Sequence, residues 1–141
     1  MKRVIDIKND MDELNRVRDE VQAFLGDSFD RLDTNRLVLS VDEALANILE
    51  HAYEDHELPA SQERISLTLF RDADAISFIL EDDGPVFDPT ELPDPDLEAE
   101  GRNTKDGGLG VHLYTTLMDS VRHEALGPGR GNRLTLVKHL P

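Results

Sequence analysis

Glu43 and Asn47 stand four residues apart in "VDEALANILEHAY", Val41 to Tyr53. On a helix that spacing puts a carboxylate and an amide oxygen on one face, one turn apart. Such a pair can hold a hard cation such as Mg²⁺ or orient a nucleophile. Asparagine is a mediocre helix former because its amide competes for backbone hydrogen bonds, so position 47 asks for a reason. A solvated polar face is the commoner explanation of the pattern. His51 continues the row less closely, and a histidine there is more often structural than a ligand.

A second carboxylate site follows in "FILEDDGPVFDP", Phe78 to Pro89, where an apolar strand runs into three acids and then Gly84-Pro85. This reads either as a strand-ending turn, which Asp-Gly makes well, or as a carboxylate at a pocket wall accepting a hydrogen bond from a ligand amine. The third stretch is "DGGLGVHLYTTLMD", Asp106 to Asp119, which crowds Gly107, Gly108 and Gly110 ahead of an amphipathic run. A glycine-rich turn opening a helix presents free N–H groups at the positive end of the helix dipole, which suits phosphate. The stretch lacks the Lys-Ser/Thr of a P-loop and does not follow a strand as a dinucleotide fingerprint does. A flexible loop with a glycine cap explains it as well.

The elements that must position these residues are legible from periodicity. "RVIDI", Arg3 to Ile7, alternates and predicts a strand. "NDMDELNRVRDEVQAFLGD" predicts a helix, with Asp10 and Glu13 as a capping box, Leu14, Val17, Val21, Phe24 and Leu25 as its apolar stripe, and Gly26 as its stop. "DTNRLVLSVDEALANILEHAYED" predicts a longer helix, with Leu37, Val38, Val41, Leu45, Ile48 and Ala52 at helical spacing. Glu43 and Asn47 fall opposite its Val41–Leu45–Ile48 stripe. "RISLTLFRDADAISFILED" predicts a hairpin from two alternating runs. Residues 85–106 hold four of the seven prolines and many acids, and a loop of that length in a compact domain is usually functional or mobile. A helix to about Met118 and a hairpin from "SVRHEAL" and "RLTLVKHL" complete the order β-α-α-β-β-loop-α-β-β. Hairpins rather than βαβ crossovers predict an α+β fold: a two-layer sandwich, helices on one face of a mixed, mostly antiparallel sheet.

Bulk properties narrow the function. A chain of 141 residues suits one domain, here taken as residues 1–141. Thirty acidic against 15 basic residues give a formal net charge of −15. This argues against direct nucleic-acid binding and suits basic partners. The chain has no cysteine, hence no disulfide or thiolate metal site, which fits a cytoplasmic protein. No apolar run is long enough to cross a bilayer, and the N-terminus lacks the apolar centre of a signal peptide.

The order and spacing of Glu43-x-x-x-Asn47, Asp82-x-Gly84 and Gly108-x-Gly110 resemble the ATP-binding domain of the GHKL superfamily, the Bergerat fold of gyrase, Hsp90-type, histidine-kinase and MutL ATPases. Through "DEALANILEHAY", "DDGPVFDP", "GGLGVHL", the terminal "GPGRGNRLTLVKHL" and the small size, the chain most resembles the anti-sigma factor serine-protein kinases of the RsbW kind. The resemblance covers nearly the whole chain. It implies ATP and Mg²⁺ as cofactors. Asn47 would coordinate Mg²⁺ and Glu43 would be the general base. Asp82 would accept from the adenine amino group, with Gly84 letting the base sit close. Gly108, Leu109 and Gly110 would meet the phosphates, and residues 86–106 would form an ATP lid. Thr135 would match the late adenine-side threonine. Arg16 would face a protein partner.

The implied partners are an anti-anti-sigma factor of the STAS type, which is phosphorylated on serine, and a sigma factor, which is sequestered. A homodimer is also implied. Val86 replaces the usual second glycine of Asp-x-Gly-x-Gly, although the "FDP" that follows is typical of the serine-kinase branch. No phosphoacceptor-histidine helix pair precedes the domain. The alternatives are a non-catalytic ATP-gated binding module and a stand-alone histidine-kinase catalytic domain.

Overall fold

The computed structural model describes residues 1–52, 64–84, 88–89, 108–127 and 131–141. Apart from residues 88 and 89, the expected lid at 86–106 lies outside the described residues, as does Gly107. The elements run β1 (Lys2–Ile7), α1 (Glu13–Leu25), α2 (Arg31–Asn47), a π-helical turn (Ile48–Ala52), β2 (Ile65–Arg71), β3 (Ala75–Asp82), α3 (Gly108–Leu117), β4 (Ser120–Ala125) and β5 (Asn132–His139). The predicted order of strands and helices holds.

The five strands form one sheet in the order β1-β2-β3-β5-β4, and every described pairing is antiparallel. Strand alternation sends one side-chain set to each face. Ile5 and Ile7, then Ile65, Leu67 and Leu69, then Ile76, Phe78 and Leu80, then Leu134 and Leu136 are buried and share one face. They join one core with Leu14, Val17, Val21, Phe24 and Leu25 of α1, Leu37, Val41, Ala44 and Leu45 of α2, and Tyr114 of α3. This is the α+β sandwich with helices on one sheet face.

The helix ends follow local chemistry. Asp30 caps α2, its carboxylate accepting from Asp33 N at 2.8 Å. Gly26 ends α1 with φ +54°, donating to Gln22 O. The expected capping box at Asp10 and Glu13 is not formed. Asp12 is the N-cap of α1 and makes no side-chain cap bond. Glu13 reaches past it to accept from Lys8 N at 3.0 Å, while Asp10 Oδ1 takes Asp12 N at 2.9 Å. Both carboxylates serve the turn leading into the helix rather than its first N–H groups. The α-helical part of α2 stops at Asn47 and gives way to the π turn. Such one-turn irregularities cluster at functional positions in proteins generally.

Candidate functional site

Asp82 ends β3 on the core side of the sheet, and its residue surface is 6% exposed. The register pairs it with Asn132, the first residue of β5. Its Oδ1 accepts from Gly84 N at 2.9 Å and from Asn132 Nδ2 at 3.1 Å; Oδ2 takes neither bond. Burial pushes this carboxyl up, the Asn132 and Gly84 bonds pull it back, nearby Asp83 raises it further and His123 opposes. A buried carboxylate held on one oxygen is a strong acceptor for an amine N–H on the other.

The neighbouring backbone is built close. Gly131 has φ +88°. A Cβ there would run onto the Asp82 backbone oxygen and lie 2.5 Å from Asp83 Cα. Only glycine lets the β5 entrance press on the strand end that carries Asp82. Behind Asn132, His123 Nε2 lies 2.7 Å from Asn132 Oδ1, and His123 Nδ1 lies 3.8 Å from Asp88 Oδ2.

The second half of the site lies on α2. Glu43 points away from the Val41–Leu45 core stripe yet is only half-exposed, so the row is not a freely solvated face. Burial raises the Glu43 carboxyl, and the negative charges of Asp42 and Glu50 add to the shift, with Arg18 opposing. Arg18 also ties α1 to α2 by a two-pronged pair with Asp42, at 2.6 and 3.3 Å. One turn beyond Glu43, the Asn47 amide Nδ2 is buried with no hydrogen-bond partner. Tyr114, 1% exposed on α3, meets the Asn47 side chain. Burial drives the Tyr114 hydroxyl far up; the neighbouring Asn47 side chain opposes this, and the charge of Asp88 adds to it. Asp88 therefore stands beside both halves, its charge acting on Tyr114 and its carboxylate lying 3.8 Å from His123 Nδ1. His51 falls in the π turn. Gly108, Leu109 and Gly110 open α3, so their N–H groups belong to the first turn, where a helix has donors to spare.

Two further residues named from the sequence lie elsewhere. Thr135 does not reach Asp82. Its register partners are Ile79 and Arg122, on the sheet face opposite the Asp82–Asn132 pair. The odd separation of positions 132 and 135 on a strand dictates this, and Asn132 takes the place beside the carboxylate. Arg16 is exposed on α1, where its guanidinium bonds Glu13 at 2.7 and 3.2 Å and the Asp6 carbonyl at 2.7 Å. The residues missed from the sequence are Gly131, Asn132, His123, Asp88 and Tyr114. A usable signal existed for two of them: Gly-Asn at a strand start is a place for positive φ and a capping amide.

Residues 7–138 match the model of the histidine kinase-like ATPase domain family. The chain is 32% identical over 103 residues to the serine/threonine-protein kinase BtrW of Bordetella bronchiseptica, covering 73% of this chain and 68% of that protein. It is 31% identical over 101 residues to the serine-protein kinase RsbW of Halalkalibacterium halodurans, covering 69% of this chain and 57% of that one. Among the described residues, no helix is long and apolar enough to cross a membrane.

Proposed function

The chain belongs to the histidine kinase-like ATPase family, and we propose that it is an RsbW-like, ATP-dependent protein serine/threonine kinase and anti-sigma factor. Its substrate is a serine on a STAS-type anti-anti-sigma protein. When that antagonist is absent, it holds a sigma factor. The partner switch operates in the cytoplasm, and residues 1–141 act as one ATPase domain. The observation that carries the nucleotide assignment is Asp82: a buried carboxylate with one oxygen held by Gly84 and Asn132, which leaves the other to accept from a ligand amine. That chemistry fits the adenine amino group.

Phosphoryl transfer asks mainly for positioning and charge neutralisation. The first N–H groups of α3, at Gly108, Leu109 and Gly110, face the polyphosphate. Glu43 takes the proton from the attacking seryl hydroxyl as the oxygen–phosphorus bond forms and the bond to the β-phosphate oxygen breaks, releasing ADP. The fit for Mg²⁺ rests on Asn47. The two ends of an amide are interchangeable by rotation, so its buried, unpartnered end can be a hard oxygen ligand. Mg²⁺ bound there would neutralise phosphate charge. Among the described residues no group of three acidic or histidine side chains forms a metal cage, and Mg²⁺ on a nucleotide needs only one or two protein ligands.

Titration of the chain with ATP, with and without Mg²⁺, followed by transfer to a purified STAS-type antagonist, tests this reading. The phosphoprotein should survive acid, as phosphoserine does and phosphohistidine does not. No transfer by the wild type would leave a binding module, and an acid-labile product would make it a histidine kinase. Gly110→Val places a side chain where the phosphates approach the helix start, so ATP affinity should drop at least about tenfold. Equal affinity would remove the phosphates from this helix.

Arg16 is the partner-facing candidate, and arginine is a frequent interface anchor. Its exposed pair with Glu13 contributes at most ~1 kcal/mol. Arg16→Ala should therefore leave thermal stability nearly unchanged and weaken partner binding by about tenfold. A surface-binding assay with the antagonist or the sigma factor checks this, and unchanged affinity for both would exclude Arg16 from the interface.

A further inference from the structure

Arg18 of α1 reaches the surface, yet its guanidinium is tied down by three hydrogen bonds. Nε donates to Asp42 Oδ1 at 2.6 Å, one terminal nitrogen to Asp42 Oδ2 at 3.3 Å, and the other to Asn15 Oδ1 at 3.0 Å. A two-pronged arginine–carboxylate pair has a set geometry that most surface pairs lack. Asp42 is the more enclosed partner, its side chain 12% exposed against 44% for Arg18. A carboxylate so enclosed needs a countercharge, and water screens its field poorly. The next residue along α2 is Glu43, the base assigned to the seryl hydroxyl. Burial holds Glu43 toward its neutral form. Among the described residues, Asp42 beside it and Glu50 of the π turn add to that shift, and Arg18 on the facing helix opposes them. The phosphoryl-transfer reading gives Arg18 and Asp42 no work of their own.

We infer that Arg18 is a positioning residue for phosphoryl transfer: fixed on Asp42 by its two-pronged pair, it cancels that neighbour's charge and so keeps Glu43 available as a base. The inference rests on the reading of Glu43 as the base. Without the Arg18 charge, Asp42 acts on Glu43 unopposed, and more of the base is protonated at any pH below the plateau of its activity. Without the Asp42 charge, Arg18 alone acts on Glu43, and less of the base is protonated. The two removals break the same pair but act on the base with opposite signs. A pair that does no more than staple α1 to α2 gives no such split, because either removal loosens the staple in the same way.

Single-turnover transfer to a purified STAS-type antagonist, followed against pH at saturating Mg-ATP, reads the split. Each protein is scaled to its own high-pH plateau, so a general loss of activity or stability cancels, and titration of the nucleotide is common to all. At one fixed pH on the rising limb, Arg18→Met should transfer at least about threefold more slowly than wild type, and Asp42→Asn at least about threefold faster, the size expected of one partly screened unit charge nearby. Arg18→Lys, which keeps the charge but not the fork, should retain the wild-type limb. Scaled rates that stay put, or that move the same way in Arg18→Met and Asp42→Asn, would overturn the inference while leaving Glu43 as the base. So would a limb in Arg18→Lys displaced as far as in Arg18→Met. If Arg18→Met does not fold, the direction of the change in Asp42→Asn, which keeps the shape of the side chain, decides alone. A limb that persists in Glu43→Gln would overturn both the reading of Glu43 and the inference built on it.

Discussion

Replacing Glu43 with glutamine should leave Mg-ATP affinity within about twofold of wild type and slow phosphoryl transfer to serine at least ~100-fold. The carboxylate is not needed to grip the nucleotide, because glutamine keeps its size and its polarity. What glutamine cannot do is accept the seryl proton. Single-turnover transfer measured beside ATP titration separates the two effects, and undiminished transfer would take Glu43 out of the mechanism. Glu43 is raised above its ordinary value of 4.5 by burial and by the charges of Asp42 and Glu50. A base must be ionised to work, so wild-type transfer should climb as pH rises through a midpoint above 4.5, and that limb should vanish in Glu43→Gln. The sign for stability is the reverse. A carboxyl raised in the folded state resists ionising there, so its penalty is absent at low pH and present above the folded value. Glu43→Gln should therefore fold at neutral pH as well as the wild type or better, as expected of a residue held for chemistry.

Gly131→Ala should cost about 2–4 kcal/mol of stability and lower ATP affinity by at least ~30-fold. Two penalties act together. The backbone sits at φ +88°, where any side chain is strained. The new methyl also runs into main-chain atoms of Asp82 and Asp83, which cannot swing aside as a side-chain tip can. Relief requires β5 to part from β3 at Asp82, the residue assigned to adenine. Gly26→Ala is the control: it has φ +54° but nothing nearer than the Ala23 carbonyl oxygen at 4.0 Å, so it bears the conformational cost alone, about 1 kcal/mol. Thermal unfolding and ATP titration of both variants decide the matter. Equal losses in the two would show that close approach at Gly131 contributes nothing.

Much of the fold was legible because it rests on local periodicity. The stripes of α1 and α2 and the alternation of β2, β3 and β5 each follow from a short window of sequence, and Gly26 stops α1 as its position implies. Glu43, Asn47, Asp82 and the glycines of α3 were legible as types at spacings. The rest depends on which residues meet across the sheet. Asn132 lies fifty positions from Asp82, and no local pattern joins them until the β3–β5 register is known. His123 is one polar residue in an alternating strand, and only the β4–β5 register brings its ring to Asn132. Thr135 was misplaced for the same reason: its type fitted, but strand parity sends it to the other face. The Asp10–Glu13 capping box failed because Glu13 had a better use in Lys8 N and Arg16, two partners that a spacing rule does not weigh.

The strand order β1-β2-β3-β5-β4 also bears on how the chain reaches this state. The β2–β3 and β4–β5 pairs are hairpins whose halves are neighbours in sequence, and such pairs close quickly. The β3–β5 seam joins segments separated by α3 and by more than 20 further residues, so its closure bears the larger entropic cost and comes late. On a growing chain β5 is also made after everything it must pair with. Until it arrives, the apolar run of β3, "AISFILED", is an open sheet edge, the kind of surface on which chains associate wrongly. Asp82 at the end of that edge remains in water until Asn132 docks. The carboxylate assigned to the nucleotide thus comes into being with a long-range seam, and ATP held there would act as a clasp that slows its reopening.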